Sequence, residues 1–423
     1  MNFNNNKAIF KFLNPYIAPL LSMAFLICSS APFLSYISVK LQLAGFSDKL
    51  IGIVQSSFYL GYLIGSIKTE KLIRRIGYIR SFVFFAALFG ATILIQGKFI
   101  NFWIWTLMRI VAGISIAALY IVIESWFLSS SSSNTRGRVL SLYMIAVYIS
   151  QAFSQMILKV ISFEDLGAFL IFGIFCFLSI IPLSINYSKT PETSSEHIKK
   201  SILELYKTAP SSFWGSFISG TILSSIYSFL PIFAKLNNFE VSYMMTITIA
   251  GGFILQWPIG YLSDLFDRRK VLIINCLLLI IPSILSIFFI KSAATSYFLC
   301  MLLGGFSFVI YPISINQACD KLDVKYIPFV AGIMSVLYGI GATIGPFLTS
   351  LFMTKFSFGI FIYIPIMALI LASAAMYFKL KLPKLVPKEE KSEFMPVSGS
   401  TPISSDLASQ AIDKTKESSE NPK

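Results

Sequence analysis

The amino-acid sequence predicts an all-α membrane protein with twelve transmembrane helices in two pseudo-symmetric six-helix bundles. Three observations support this fold class: an apolar composition, twelve long apolar stretches, and a polar connection in the middle of the chain. Of the 423 residues, 56% are hydrophobic and only 13% are charged. Soluble domains carry about 25% charged residues, so lipid is the predicted solvent of this chain.

Twelve stretches of the sequence are long enough to cross a bilayer, which takes about 20 mainly apolar residues. Membrane-spanning β-strands would instead alternate in polarity over ~10 residues, and these stretches are continuously apolar. One stretch, 101–125, is interrupted by Arg109 alone. The other eleven contain no Asp, Glu, Lys or Arg, and they run over 12–39, 50–67, 81–97, 139–158, 166–188, 208–234, 241–263, 271–290, 292–319, 326–354 and 356–378.

The longest internal connection divides the chain into two halves. It covers about 189–207 and carries Pro191, three acids and four lysines. We expect an N-terminal bundle at 1–188, a cytoplasmic linker at 189–207, a C-terminal bundle at 208–381 and a tail at 382–423. The tail is predicted to be disordered, because its Lys, Glu, Ser and Pro leave too little apolar surface to offset the entropy of ordering.

The distribution of positive charge predicts the orientation. With the N-terminus inside, the inner loops carry eighteen lysines and arginines outside the tail, and the outer loops carry seven. Cytoplasmic loops are enriched in these residues, so both termini are predicted to be cytoplasmic. The excess of Ile, Asn, Lys and Phe suggests an AT-rich bacterial genome and hence the inner membrane. The net charge of +14 is thereby explained without a nucleic-acid partner.

Corresponding loops of the two halves carry related motifs. The loop after the eighth stretch runs from Gly260 to Lys270 and contains Asp264, Arg268 and Arg269. It resembles the G-x-L-x-D-x-x-x-R-R signature of the major facilitator superfamily. The layout of two six-helix halves also fits that family, whose halves are related by an axis along the membrane normal.

The loop after the second stretch is a degraded copy of the same signature. Leu72, Arg75 and Gly77 match it, whereas Glu70 and Arg74 stand in place of the glycine and the aspartate. We therefore expect any acid-based gate to lie in the second half.

The resemblance implies a gate built around Asp264. An aspartate at a helix end can accept hydrogen bonds from the free amides of a neighbouring helix N-terminus. Asp264 is predicted to lie near Gly137 and Arg138 at the start of the fifth span and to hold the cytoplasmic face shut. The alternative is that these residues only cap helices and fix topology. The predicted gating residues are Arg75, Gly77, Arg138, Gly260, Asp264, Arg268 and Arg269.

Arg109 lies within a membrane span, where a charge is costly and usually functional. With Gly113 it resembles the R-x-x-x-G motif of the family, and the resemblance links this arginine to proton coupling or helix cohesion. Glu124 lies ~22 Å away along the helix, so no buried acidic proton relay is predicted. A neutral or positive cavity favours an anionic, zwitterionic or uncharged substrate over a cationic drug. The alternative is that Arg109 snorkels to the outer headgroups.

Three short segments narrow the resemblance to one branch of the family. They are Glu124 to Trp126, Asn134 to Arg138, and Tyr143 with its neighbour Met144. Together they resemble the YcaD-like branch of bacterial transporters, whose substrates are undefined.

Polar and aromatic residues in the spans that line the cavity of this fold are candidates for substrate contact. Buried amides and hydroxyls need partners, which a substrate can supply. The alternative for each is a role in holding helices together. The candidates are Gln55, Tyr59, Arg109, Tyr148, Gln151, Tyr227, Gln256, Trp257, Tyr311, Asn316 and Tyr338.

Other classes of function lack their motifs. The sequence has no phosphate-cradling loop of an ATP-driven pump. The single histidine, His197, leaves little from which to build a catalytic or metal site. We expect no enzyme activity, no cofactor and no metal, but a monomeric secondary active transporter that moves a small solute by alternating access. Coupling to a proton, efflux of a drug or metabolite by proton antiport, and a sensor without flux stay open alternatives.

Overall fold

The computed structural model describes residues 3–129, 131, 135–163, 166–185, 202–289, 292–321, 327–382, 391 and 394. Within these ranges, twelve helices are long and apolar enough to cross a membrane. They coincide with the twelve apolar stretches of the sequence, so the predicted spans and the all-α fold class are confirmed. Most of the helices extend past their charge-free stretch at one end or both, where charged side chains can reach the interface with water.

The spanning helices are named α1 to α12 in chain order. Two of them, α5 and α6, have a break in the helix and are given in two parts. Their bounds are α1 Phe3–Leu43, α2 Asp48–Ile76, α3 Tyr78–Lys98, α4 Phe102–Ser129, α5 Arg136–Ser154 with Ile157–Val160, α6 Gly167–Leu178 with Ile180–Ser184, α7 Pro210–Leu236, α8 Val241–Leu265, α9 Arg268–Phe288, α10 Ala293–Asp320, α11 Ile327–Met353 and α12 Ile360–Lys381.

The two halves repeat the same helix pairings. In the first half α2 packs on α4 and α1 on α5, while in the second α8 packs on α10 and α7 on α11. In both pairs α2–α4 and α8–α10 the helices approach each other closely, because glycines at the crossing face the backbone of the partner helix. A Cβ atom on Gly61 or Gly113 would overlap the carbonyl oxygen of Ile110 or Phe58, respectively. In the second half, a Cβ atom on Gly251 or Gly304 would likewise overlap the carbonyl oxygen of Met301 or Thr248, respectively.

Adding one methyl group at the α8–α10 crossing should destabilise the fold. In an open helical position Gly→Ala raises stability, because alanine loses less entropy on folding. In Gly304→Ala the new Cβ would overlap the Thr248 carbonyl, so the helices must separate, at a cost of about 1–3 kcal/mol. We expect a lower midpoint of thermal unfolding in detergent. Gly332→Ala is the matched control, because no atom lies within 4 Å of a Cβ at Gly332; equal midpoints for the two variants would contradict this account of the crossing.

The two polar segments of the sequence are described only in part. A short helix, Ile202–Thr208, covers the end of the predicted linker, and residues 189–201 lie outside the described residues. In the predicted disordered tail, Leu382, Lys391 and Phe394 are described, and all three make hydrogen bonds to the second bundle. The rest of the tail lies outside the described residues.

Candidate functional site

The contacts between the two halves include a group at one end of the bundle. We call the end where α1 begins and α12 finishes the terminal side, and the opposite end the far side. In the far-side half of the bundle, Phe347 N of α11 donates to Ser56 Oγ of α2 at 3.2 Å. Thr246 Oγ1 of α8 donates to the Ala152 carbonyl of α5 at 3.0 Å. Further far-side contacts join Lys159 to Tyr243 and Gly52 to the neighbourhood of Ser350.

Towards the terminal side, a cleft lies between α5 of the first half and α8 of the second half. Its lining mixes polar and apolar side chains, as binding sites for small molecules do. The lining residues are Ser141, Met144, Ile145, Tyr148, Phe253, Gln256 and Trp257. The bundle is therefore packed at the far side and has a small cleft between α5 and α8 towards the terminal side.

Arg109 is the centre of a buried polar cluster between α4, α2 and α1. Its Nη2 donates to Gln55 Oε1 at 2.9 Å, and Gln55 in turn donates through Nε2 to the Leu34 carbonyl at 3.3 Å and to Ser38 Oγ. The guanidinium lies over the ring of Phe58, 4.2 Å from its centre, within the range of a cation–π interaction. The side chain is 1% exposed, so the alternative that Arg109 snorkels to the headgroups is wrong.

The charge of Arg109 is only partly satisfied. Within the described residues no carboxylate pairs with it, and its Nε has no hydrogen-bond partner. Burying an ion without a counter-ion is expensive, and neutral dipoles such as the Gln55 amide offset only part of that cost. The cluster is therefore a positively charged site that an anionic or polar group of a ligand could complete.

Four predicted tyrosines from both halves gather beside this cluster. Tyr59 lies within electrostatic range of Arg109, and its hydroxyl, although buried, has no hydrogen-bond partner. Tyr227 of α7 lies within the same range of Tyr59, Tyr148 and Tyr338. These hydroxyls line the boundary between the halves, where a bound solute can meet residues of both.

Two predicted amides also lie at the boundary between the halves. Gln151 Oε1 of α5 accepts a hydrogen bond from the Tyr227 hydroxyl of α7 at 3.4 Å. Gln256 of α8 lies beside Tyr148 of α5 in the lining of the cleft, and its Nε2 has no hydrogen-bond partner among the described residues although the side chain is 1% exposed. Both pairs cross from one half to the other, so any relative movement of the halves must change them.

Three predicted residues lie apart from this group or face outwards. Tyr311 packs on Tyr338 with ring centres 5.4 Å apart and shares a hydrogen bond with Ser335 at 3.2 Å. Asn316 donates to the carbonyl of Pro312 in its own helix at 2.8 Å, which places it in the α10 backbone network. Trp257 lines the cleft but is 54% exposed.

Glu124 corrects the expectation that no acid is buried in the membrane region. Its side chain is 0% exposed, and Oε1 accepts a hydrogen bond of 2.6 Å from the Tyr143 hydroxyl of α5. Tyr62 of α2 and Tyr120 of the same helix lie within electrostatic range of it. The sequence position near the end of α4 suggested exposure, but the start of α5 folds over that end and covers it.

The predicted gate of the second half forms an ion-pair network at the α8–α9 turn. Arg268 Nε pairs with Asp320 Oδ2 of α10 at 2.6 Å, and its Nη1 pairs with Asp264 Oδ1 at 3.0 Å. Asp267 caps α9 by accepting from Arg269 N at 3.0 Å. Because Arg268 is 2% exposed, this network is buried and ties α8, α9 and α10 together.

The predicted contact between Asp264 and α5 is not present in this conformation. In the described part of the chain Asp264 binds Arg268 and Phe394, and neither Gly137 nor Arg138 bonds to it. In the first half, Arg75 is exposed and Gly77 has a left-handed φ of 89°, which suits the turn between α2 and α3. The gating role of these residues stays a prediction.

Several residues of the site carried no signal in the sequence. Ser38 and Phe58 complete the Arg109 cluster, and Lys391 and Phe394 reach the α8–α9 turn from the tail. A serine or a phenylalanine in an apolar helix has no pattern that distinguishes a site from packing.

A twelve-helix membrane fold in two like halves, with a polar boundary between them, defines a polytopic membrane transporter. The family model described as Major Facilitator Superfamily matches residues 17–240 and again residues 212–415. The chain belongs to the major facilitator superfamily. It is 30% identical over 312 residues to "Uncharacterized MFS-type transporter YcaD" of Escherichia coli O6:K15:H31 and to its counterpart in Escherichia fergusonii. Each match covers 73% of this chain and 80% of the relative, so the resemblance to the YcaD branch is confirmed.

Solved structures of transporters share the fold. A variant of the nucleoside transporter NupG superposes with a TM-score of 0.72 at 12% identity, over 86% of this chain and 99% of that one. A bacterial homologue of the human lysosomal transporter Spinster, in an inward-facing and unoccupied conformation, gives 0.71 at 13% identity, over 87% and 96%. These likenesses establish the fold, and the chain is a multi-pass protein of a bacterial membrane.

Proposed function

We propose that this protein is a secondary active transporter that moves a small solute across the bacterial inner membrane by alternating access. The observation that supports this most is the unequal contact between the halves, which are packed at the far side and parted by a cleft towards the terminal side. With both termini in the cytoplasm, as the loop charges predict, the open side faces inwards. The chain acts as a monomer, because each bundle pair encloses its own cavity.

The substrate class follows from the charge of the site. Arg109 brings a positive charge next to Tyr59, and Gln151, Tyr227 and Gln256 add neutral hydrogen-bonding groups at the boundary between the halves. A cationic solute would meet this charge without a carboxylate to offset it. We therefore propose an anionic, zwitterionic or neutral polar solute, with the negative or polar group next to Arg109.

Ligand-dependent thermal stability tests this substrate class. The purified protein in detergent is heated in the presence of four sets of solutes: anionic, zwitterionic, neutral and cationic. A solute that binds the fold stabilises it by RT ln(1 + [L]/Kd), so even weak substrates register at high concentration. We expect members of the first three sets to raise the unfolding temperature. We also expect proteoliposomes that contain the protein to take up those solutes. Shifts confined to lipophilic cations would contradict the proposal and favour drug efflux.

A proton is the coupling ion that one specific observation favours. Glu124 is a fully buried carboxylate in a membrane helix, and Tyr143 of α5 and Tyr62 of α2 surround it. A buried acid in a transporter is a functional site by default, because its charged form is costly in a low-dielectric medium. We propose that Glu124 binds the coupled proton when the halves rearrange.

Replacing this carboxylate separates proton coupling from solute exchange. In Glu124→Gln we expect accumulation driven by a pH gradient to fall at least ~10-fold, because the amide cannot carry a proton across the cycle. Exchange of labelled for unlabelled solute, which needs no net proton movement, should persist. Glu240→Gln, at an exposed acid of the far side, is the control. Equal loss of both activities in Glu124→Gln would mean a structural role for this residue.

A further inference from the structure

Part of the C-terminal tail lies on the end of α8. Lys391 Nζ donates to the Phe266 carbonyl at 2.7 Å, and Phe394 N donates to Asp264 Oδ2 at 3.0 Å. The ring of Phe394 is half-buried and packs against the hydrophobic core. It fits there because residue 260 is a glycine, since a Cβ on Gly260 would overlap the ring.

The tail is also complementary in charge to the α8–α9 turn. The ammonium group of Lys391 lies within electrostatic range of Asp264, Asp267 and Asp320. Partial burial, together with the nearby Arg268, lowers the pKa of Lys391. This segment is therefore held by an apolar contact, by two hydrogen bonds and by the acids of the gate network.

The same carboxylate is the group that the family signature assigns to closing the terminal side. In this conformation Oδ1 of Asp264 faces Arg268 and Oδ2 is bound by Phe394 N, whereas Arg138 at the start of α5 is exposed. To close the terminal side, an amide at the start of α5 must approach Asp264. The N–H of Phe394 already donates to Oδ2, so an amide of α5 has to displace it or share the carboxylate with it.

We propose that Lys391 and Phe394 form a strap that holds Asp264 away from α5 and so favours the conformation with the terminal side open. The proposal rests on alternating access as the proposed function. The strap makes its contacts in the open conformation and loses the Asp264 bond when α5 takes its place. A contact that exists in one state only shifts the equilibrium by the free energy of that contact. The tail thereby sets the resting conformation of the transporter.

Distances between spin labels on the two halves test the strap. Lys71 of α2 and Lys270 of α9 are exposed on the terminal side, one in each half, and are replaced by labelled cysteines in a Cys28→Ser background. Cys176, Cys276, Cys300 and Cys319 are buried. Closing the terminal side shortens the distance between the labels, so the fraction of short distances reports the closed state.

Three changes to the strap are compared with one control. Phe394→Ala removes the ring, Gly260→Ala displaces it, and Lys391→Ala removes the second anchor if a Phe394 variant fails to fold. We expect each to raise the ratio of short to long distances, by about tenfold for Phe394→Ala, as loss of the burial of half a phenylalanine side chain implies. The double variant with Phe394→Ala and Gly260→Ala should give the same ratio of short to long distances as Phe394→Ala alone. Leu380→Ala, at a 74% exposed position of α12, removes a similar apolar side chain and should change nothing.

Two outcomes overturn the inference, and they differ from failure of the proposed function. If Phe394→Ala and Lys391→Ala leave the distance distribution of the parent unchanged while a transported solute changes it, the halves alternate but the strap does not control them. A shift in Gly260→Ala alone would assign the effect to the helix and contradict the strap as well. If neither solute nor any strap variant produces short distances, and no solute is taken up, alternating access fails together with the strap.

Discussion

Arg109→Gln should lose solute binding while it keeps the fold. The variant removes the positive charge of the buried cluster between α4, α2 and α1 but leaves an amide that can still bond to Gln55. A charge-assisted hydrogen bond contributes about 1.5–3 kcal/mol, so we expect the Kd of an anionic or zwitterionic solute to rise roughly 10- to 100-fold. The measurement is the thermal shift of the purified variant as a function of solute concentration. Uptake into proteoliposomes should fall in parallel.

The stability of the variant without solute separates a binding role from a structural one. Arg109 is buried, has no carboxylate partner in the described residues, and leaves Nε without a partner. Removing a poorly paired buried charge is often neutral or stabilising. We expect Arg109→Gln to unfold at the same temperature as the parent or a higher one. A lower unfolding temperature with an unchanged solute shift would mean that Arg109 ties α4 to α2 and does not bind substrate. Arg109→Lys, which keeps the charge but not the planar fork, should be intermediate.

Tethering the halves at the far side should abolish transport. Lys159 of α5 and Tyr243 of α8 contact each other across the boundary. With cysteines at both positions, a bifunctional thiol reagent that contains a disulfide fixes the far side shut. Alternating access requires this side to open, so we expect uptake to fall to the background of empty liposomes and to return when the tether is reduced.

A tether within one half is the matched control. Glu240 and Tyr297 lie on the same far side, joined by a hydrogen bond of 3.3 Å from Glu240 N to the Tyr297 hydroxyl, but both belong to the second half. The same reagent at this pair should leave uptake unchanged, since rigid bundles move as units. Full transport with the first tether in place would show that the far-side contact does not have to open.

The sequence was sufficient to predict the helices and their grouping. A charge within a bilayer is costly, so the charge-free stretches mark the spans directly. The Gly260 to Lys270 loop contains residues that form the second-half network, although the predicted contact of Asp264 with α5 is not among its bonds. In these places the pattern and the structure depend on the same physical cause.

The faces of the helices were beyond prediction from the pattern. In a membrane protein both the lipid and the protein interior are apolar, so an apolar helix gives no sign of which side turns inwards. Glu124 and Lys40 illustrate this: both lie near the ends of their helices, yet their exposed fractions are 0% and 7%. Lys40 donates to the Phe163 carbonyl at 2.9 Å, a partner 123 residues away in the chain. Contacts of that range follow from tertiary packing alone.

The docking of the tail was hidden for a different reason. Its composition is that of a disordered segment, and composition averages over many residues. One aromatic ring that meets a glycine, and one amide that meets a carboxylate, are enough to hold a segment locally.

Accessibility of one position from both faces of the membrane tests alternating access most directly. Gln151 lies near the middle of α5 at the boundary between the halves and bonds to Tyr227. A cysteine at this position is exposed to a membrane-impermeant thiol reagent in right-side-out and in inverted vesicles, with Cys28→Ser as background. The account predicts labelling from both faces, with a transported solute changing the two rates in opposite directions. Labelling from one face only, whatever solute is present, would contradict it.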